Sequence, residues 1–499
     1  MVFDSIVLRC EQVQFRHKLA SLGPASWTLY TILDLPFASS DGAEVGVVSL
    51  REKRCFIAEA RLGHRRRPIV RRETNSNKEA PMQLKTLLNA CHRLKGFVYR
   101  SVGFQSVKGR LCVVAEIEPR KGSKPICSGC GCKAARYDRR DEGRLFDFVP
   151  IWGFKSYFKY RMRRVHCRAC GVKVERVPWA EGKSPITKPY ELFLAQWARR
   201  LSWKQVAEAF HTSWDSVFRS VSRVVSYGLE HRNLEGIEAI GVDEWCKGKG
   251  HDYVTLVYQI DSGCRRLLYI AEKRTVESLR AFFDELGERR CEAIGYVCSD
   301  MWKPYLKVIK EKIPAAVHIL DRFHIVANLN KALSQIRAEE ARRMKSEGFQ
   351  EVLKHTKYCF AKNPENLTDK QKARLEDVLQ YDLKSVKAYL LKEAFQALWS
   401  YSSPHWARWY IKKWCFKAMR SKLDPIKKFA KSVRKHEPLI INYFRARKRL
   451  SSGIVEGLNR NVNLATRKAY GYRTFNALQV SLYHTLGNLP EPKSTHQFF

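Results

Sequence analysis

Between residues 237 and 324 short apolar runs alternate with helical stretches, and that alternation restricts this part of the chain to a mixed α/β core. The runs 237–245, 253–261 and 267–272 read as strands, followed by a helix over 275–290 and a strand over 293–299. A helix over 302–312 and a strand over 315–321 complete the pattern. The first three strands follow one another at hairpin distance and are expected to pair antiparallel. From 324 to 450 the chain reads as almost entirely helical.

Two of the strands end in an acid. Asp243 closes Ala-Ile-Gly-Val-Asp243-Glu-Trp, and Asp300 closes Ala-Ile-Gly-Tyr-Val-Cys-Ser-Asp300-Met-Trp. Glu456 opens a late helical stretch, Ser-Ser-Gly-Ile-Val-Glu456-Gly-Leu-Asn459-Arg460. Two carboxylates at strand ends and a third on a helix can hold a pair of divalent ions roughly 3.5–4 Å apart, which suits in-line attack on a phosphodiester. Solvated surface carboxylates are the plain alternative. Strand alternation turns Glu244 to the face opposite Asp243, and Asp261 reads as a turn residue. Asp321-Arg-Phe-His324 reads either as an auxiliary acid and base or as an N-cap starting the next helix.

With 499 residues the chain exceeds one hydrophobic core, and 45% apolar residues argue against general disorder. Lys and Arg number 91 against 50 Asp and Glu, a formal charge of +41 that points to a polyanionic partner, nucleic acid before an anionic membrane. No run of 18 apolar residues offers a membrane span, and the N-terminus lacks the pattern of a signal peptide. The 15 cysteines then read as reduced thiols, some holding metal.

Cys127-Ser-Gly-Cys130 and Cys167-Arg-Ala-Cys170 form two knuckles with 36 residues between them. Four thiolates complete a tetrahedral structural zinc shell, with Cys132 and His166 as nearby substitutes and ordinary buried cysteines as the alternative. The segment between the knuckles reads as a β-hairpin linking them. Further on, Ser202–Phe210 and Trp214–Tyr227 read as two amphipathic helices about a short turn, with Ser213 capping the second. Val217, Val221 and Val224 would face inward, leaving Ser216, Arg219, Ser220 and Arg223 outward to meet DNA. A plain helical hairpin is the alternative.

The assignment by segment is an atypical extension over 1–81, a zinc-binding module over 82–180 and a helix-turn-helix over 183–232. A first part of the catalytic core follows over 237–330, a helical insertion over 331–450 and the last part of the core over 451–490. The extension carries an Arg-rich run, His64-Arg-Arg-Arg-Pro-Ile-Val-Arg-Arg72, read as a loosely folded piece or a basic arm. In the insertion, Trp406, Trp409 and Trp414 interleave with Lys and Arg, and Lys427 and Lys428 follow as candidate phosphate contacts. Asn459, Arg460 and Asn463 share the neighbourhood of Glu456 and suit the same role.

Several blocks in order resemble the ISL-three family of insertion-sequence transposases. They are Gly241-Val-Asp243-Glu-Trp, Lys249-Gly-His251, Ser299-Asp300-Met-Trp302-Lys-Pro304-Tyr305, Asp321-Arg-Phe-His324, Gly453-Ile-Val-Glu456-Gly-Leu-Asn459 and Arg467-Lys-Ala-Tyr470-Gly-Tyr-Arg473. The resemblance covers about residues 83–490. It implies an RNase H-like mixed sheet interrupted by helices, with Asp243, Asp300 and Glu456 as the catalytic acids for two Mg²⁺ or Mn²⁺. It also implies binding to the terminal inverted repeats of an element, metal-dependent strand cleavage and joining of the 3′-hydroxyl to target DNA. A homo-oligomer on DNA, within a bacterial cytoplasm and its nucleoid, follows from the same likeness. The alternative in another class is an inactive DNA-binding regulator of the same fold.

Overall fold

The computed structural model describes residues 83–248, 252–447 and 453–494. The extension over 1–81 and the Lys249-Gly-His251 block lie outside those residues.

The first part starts with α1 (Leu84–Cys91) and continues as seven strands. These are β1 (Phe97–Val107), β2 (Arg110–Pro119), β3 (Ala135–Arg139), β4 (Arg144–Ile151), β5 (Phe154–Tyr160), β6 (Arg163–Cys167) and β7 (Gly171–Val174). They make two sheets, ordered β1-β2-β5-β4 and β3-β6-β7. Alternating aromatic positions on the larger sheet, Phe97, Tyr99, Phe146, Phe148, Phe158 and Tyr160, bury together around Trp179. This corrects one expectation: the hairpin between the cysteine knuckles, β4–β5, does not link them, because β5 pairs with β2 in the larger sheet. The knuckles are joined by β3 against β6 and β6 against β7.

One buried ion pair fastens the two sheets. The Glu175 side chain is fully buried and accepts from the Tyr160 hydroxyl at 2.5 Å, the Arg163 backbone N–H at 2.9 Å and Arg163 Nε at 2.8 Å. Every oxygen is satisfied, which is the condition under which a buried carboxylate is tolerated.

Three helices follow: α2 (Lys188–Arg200), α3 (Trp203–Ala209) and α4 (Trp214–His231). Ser202 and Gln205 form a reciprocal capping box on α3, and Ser213 Oγ accepts from the Ser216 N–H to start α4. Between the two helices His211 takes φ 49°, and Val206, Val217 and Val221 close the joint.

The five-stranded sheet runs β10-β9-β8-β11-β12, with β8 (Ala239–Cys246), β9 (Tyr253–Asp261), β10 (Cys264–Glu272), β11 (Tyr296–Ser299) and β12 (Val317–Leu320). The pairs β8–β9 and β9–β10 are antiparallel as expected, while β11 is parallel to both β8 and β12. The helical stretch after β10 divides into α5 (Val276–Leu286) and α6 (Glu288–Glu292), because Gly287 adopts φ 83° between them. These and α7 (Lys303–Lys312) cover one face, where Ile240, Val242, Phe283 and Tyr305 are buried.

The helices after β12 are α8 (Arg322–Ser346), α9 (Lys357–Ala361), α10 (Asp369–Leu379), α11 (Lys384–Gln396), α12 (Pro404–Met419), α13 (Asp424–Lys435) and α14 (Glu437–Arg445). Asn442 of α14 donates from Nδ2 to the His318 carbonyl at 2.8 Å, which ties this bundle to β12. The chain then returns as α15 (Gly453–Lys468) and α16 (Phe475–Leu486), which pack on the other face of the sheet with Leu256, Tyr258 and Ile260.

Replacing Glu175 with Ala strands the buried Arg163 guanidinium and is expected to cost about 3–5 kcal/mol in urea unfolding. Glu118→Ala breaks only the exposed pair with Arg100 and is expected to cost less than about 1 kcal/mol in the same assay.

Candidate active site

Register brings the acids together. Cys298 of β11 pairs with Gly241 of β8, so Asp300 and Asp243 each stand two residues beyond a matched pair. Ser299 pairs with Leu320 of β12, and the Asp321 N–H donates to the Ser299 carbonyl at 2.8 Å. Asp243, Asp300 and Asp321 therefore sit level across three neighbouring parallel strands, just past the pairing among those strands, although β8 pairs on with β9 as far as Cys246.

Asp243 is nearly buried and well partnered. Its Oδ2 accepts from Asn459 Nδ2 at 2.6 Å, and its Oδ1 accepts from the Glu244 N–H at 2.8 Å. Burial holds its carboxyl above the ordinary range, and the Asp321 charge adds to that. His324 Nε2 sits 4.0 Å from Asp243 Oδ1 and 3.7 Å from Asp321 Oδ2. Asp321 is also the N-cap of α8, accepting from the Phe323 N–H at 2.6 Å. Both readings of this segment thus have geometric support: a cap, and an imidazole between two carboxylates.

Asp300 is fixed by the Trp302 N–H at 3.0 Å and meets Arg274 Nη2 at 3.4 Å. Arg274 in turn reaches Glu244 at 2.5 Å and lies 4.1 Å over the Trp302 ring. Glu244 does face away from Asp243, as alternation requires, yet that face is no solvent surface. Burial first, and the Asp300 charge second, push its carboxyl up to about 7 against the pull of Arg274. Sequence reasoning passed over Glu244 and Arg274. The only signal for Arg274 was its place just beyond the β10 run, and no local pattern gives the pairing that swings it to Asp300.

Glu456 is exposed in the first turn of α15, three residues before Asn459 and on the same helical face. It borders a cleft of about 750 Å³ with Arg322, Phe323 and Trp399. The helix sits close to the sheet because Gly241 has no side chain: a Cβ there would lie 2.5 Å from Val455 Cγ2. Asn459 Oδ1 accepts from the Tyr258 hydroxyl at 2.8 Å, and Asn463 Oδ1 accepts from Trp245 Nε1 at 2.9 Å. Both asparagines therefore tie α15 to the strands; the Asn459 amide is engaged at both ends, which removes it from the groups expected to meet phosphate, while Asn463 stays exposed. Arg460 points outward and is exposed. Among the described residues, no three carboxylates or imidazoles bring ligand atoms within 4.8 Å of one another.

Four cysteines do. The thiols of Cys127, Cys130, Cys167 and Cys170 all lie within 4.8 Å of one another, at the turn before β3 and the turn between β6 and β7. N–H groups of Cys130 and Gly129 draw the Cys127 thiol down to about 7. Cys132 and His166 stay outside this cluster, and both are exposed.

On α4 the outward set shrinks. Ser220 is buried and donates to the Ser216 carbonyl at 2.8 Å, since it shares the inner face with Val217 and Val224. Arg223 is exposed as expected, yet it is bound to the buried Glu191 of α2 and to Ser184 Oγ and so also braces the helices. Ser216 is half-buried, its hydroxyl 2.9 Å from that of Ser213. Arg219 is exposed and pairs with Asp215 along the helix. In α13 Lys427 meets Asp424 at 3.1 Å, while Lys428 stands exposed.

A transposase family model of the ISL3 type matches residues 240–482, the stretch that holds the five-stranded sheet, the helical segment and α15. The chain is 27% identical to the transposase for insertion sequence element IS1001 of Bordetella parapertussis, across 70% of this chain and 85% of that one. It is 29% identical to the transposase for element IS1557 of Mycobacterium tuberculosis, across 77% of this chain and 91% of that one. The class is therefore that of insertion-sequence transposases, which act on DNA. Within it, the likeness is to the ISL3 family. No described helix is long and apolar enough to cross a membrane.

Gly241→Ala is expected to push α15 off β8, at a cost of about 1–3 kcal/mol for the overpacked contact. Adding Val455→Ala in the same chain should restore most of that loss in thermal unfolding. A double variant no more stable than Gly241→Ala alone would show that this contact does not seat the helix.

Proposed function

We propose that this chain cuts DNA at the ends of its own element and joins the freed 3′-hydroxyl to target DNA, with Asp243, Asp300 and Glu456 as the working carboxylates. The observation that carries this reading is the register that sets Asp243 and Asp300 level on adjacent parallel strands, with the helix bearing Glu456 hydrogen-bonded to Asp243 through Asn459. A mixed sheet of order β10-β9-β8-β11-β12 with antiparallel early strands is also the arrangement expected of an RNase H-like core.

The residues fit a site for divalent cations. Asp243 is held above the usual carboxylate range by burial, and the buried Glu244 Oε2 has no hydrogen-bond donor among the described residues. Once ionised, these carboxylates meet little compensating positive charge apart from Arg274, which reaches Glu244 and Asp300 but not Asp243. Two Mg²⁺ or Mn²⁺ held by Asp243, Asp300 and Glu456 would supply an activated oxygen and offset charge on the leaving oxygen. The chain's own groups position and shield. Asn459 fixes the Asp243 carboxylate, the Trp302 N–H fixes Asp300, and the His324 ring stands beside both Asp243 and Asp321.

Recognition of the terminal repeats falls to the helix pair α3–α4 through Arg219 and Ser216, beside a structural zinc held by Cys127, Cys130, Cys167 and Cys170. Lys428 and Arg460 are exposed cations suited to phosphate. A homo-oligomer holding two ends follows from the chemistry of joining both to one target.

The test is cleavage of a labelled duplex carrying the element's terminal repeat, with Mg²⁺, Mn²⁺ or EDTA. Asp243→Asn, Asp300→Asn and Glu456→Gln are each expected to slow cutting at least ~10³-fold, about 4 kcal/mol, with repeat binding within twofold of the parent. Full cutting by any of the three would remove that residue from the proposal. For zinc, elemental analysis should give one ion per chain, lost in Cys127→Ser and Cys170→Ser together with thermal stability. Cys132→Ser should keep both.

A further inference from the structure

The helical segment carries a surface that the cutting site does not use. Between Trp406 and His436 stand eleven Lys or Arg and a single acid, Asp424. In α12 the positions Ala407, Ile411, Trp414 and Ala418 are buried, and Trp414 Nε1 donates to the Leu391 carbonyl at 2.9 Å as a core anchor would. The other tryptophans behave differently. Trp406 is 55% exposed, Trp409 46% and Phe416 54%. Their spacing sets all three along the outer side of the helix, over roughly 15 Å at 1.5 Å per residue.

These rings are accompanied by cations. Lys413 Nζ lies 4.7 Å from the Trp409 ring centre and the Arg420 guanidinium 3.4 Å from that of Phe416, while Trp406 meets Trp409 edge-on at 6.1 Å. No Leu, Ile or Val of α12 is exposed beside them. Leaving three large rings in water gains nothing for the fold, since each could be buried at about 25 cal/mol per Å² or replaced by a polar residue.

We propose that this face of α12 is a stacking platform for unpaired bases of a DNA strand, with Lys412, Lys413, Lys417 and Arg420 holding its phosphates. Charge selects the occupant. A second copy of the same face would bring like charges together, and a lipid surface calls for aliphatic neighbours that are missing here. A single strand offers both a π-face at every base and a phosphate at every step, and 15 Å matches about four bases at 3.4 Å. The choice of DNA rests on the function proposed above, whereas the platform's geometry does not.

The test uses the full chain, a fluorescein-labelled 15-nucleotide oligo-dT and a repeat duplex, with anisotropy and tryptophan quenching as readouts. Trp406→Ala/Trp409→Ala is expected to weaken oligo-dT binding at least tenfold while duplex binding stays within twofold. Trp406→Phe/Trp409→Phe, which keeps the rings, should recover most of the loss. Equal oligo-dT affinity in the parent and the Ala variant would overturn the proposal, as would a parent that does not bind oligo-dT. So would a variant whose only change is a smaller assembly in light scattering, or lost binding to anionic vesicles. Asp243→Asn separates this idea from the catalytic one: it should stop cutting and leave oligo-dT binding intact. If Asp243→Asn still cuts, the catalytic assignment falls and the platform stands.

Discussion

The hydrogen bond from Asn459 to Asp243 joins residues 216 positions apart, and the layout of the whole acidic site depends on it. One amide serves two strands: Nδ2 donates to the β8 carboxylate and Oδ1 accepts from Tyr258 on β9. Such a clamp needs the helix within hydrogen-bond reach of the sheet, which Gly241 permits by leaving room for Val455. Because Glu456 follows Val455 directly, the closeness that satisfies a buried carboxylate also sets where the third acid begins. A single small residue on β8 therefore determines both packing and the approach of charge.

The electrostatics divide across β8. On the Asp243 side the partners are neutral or histidine: Asn459, the Glu244 N–H and His324. On the Glu244 side a full positive charge, Arg274, is shared with Asp300 and laid on Trp302. A carboxylate left with weak neutral donors retains its affinity for a cation, while one matched to a guanidinium has already spent much of its own. On the proposed reading that difference favours Asp243 over Glu244 as a ligand, although both lie on β8, and Asp300 would have to give up Arg274 to bind a cation.

Much of this was legible in the sequence. The strand 253–261 stands where the apolar run put it, and Asp300 follows the end of β11, while Asp243 stands level with it inside β8 rather than at its end. Such features follow from local period and strand order, which a single chain displays. Ser220 was legible too, because it stands three residues after Val217 and four before Val224; its polarity hid what its position implied. Other features were out of reach. Arg223 finds Glu191 on another helix, and β5 leaves the knuckles to pair with β2, because long-range packing decides them. The paired tryptophans of α12 looked alike in sequence, yet only the fold separates Trp414 in the core from Trp406 and Trp409 outside.

The late arrival of α15 has a consequence for the timing of activity. A growing chain completes its cysteine cluster, its capped helix pair and both aspartate-bearing strands well before residue 453 is made. Until then the notch at Gly241 is open and Asp243 lacks its amide partner. On the proposed reading, a copy of the gene cut short anywhere in the helical segment yields a protein that cannot cut, and one that lacks the α15 and α16 side chains sharing a core with the helix pair and the sheet. Cutting is on that reading the last property the growing chain acquires.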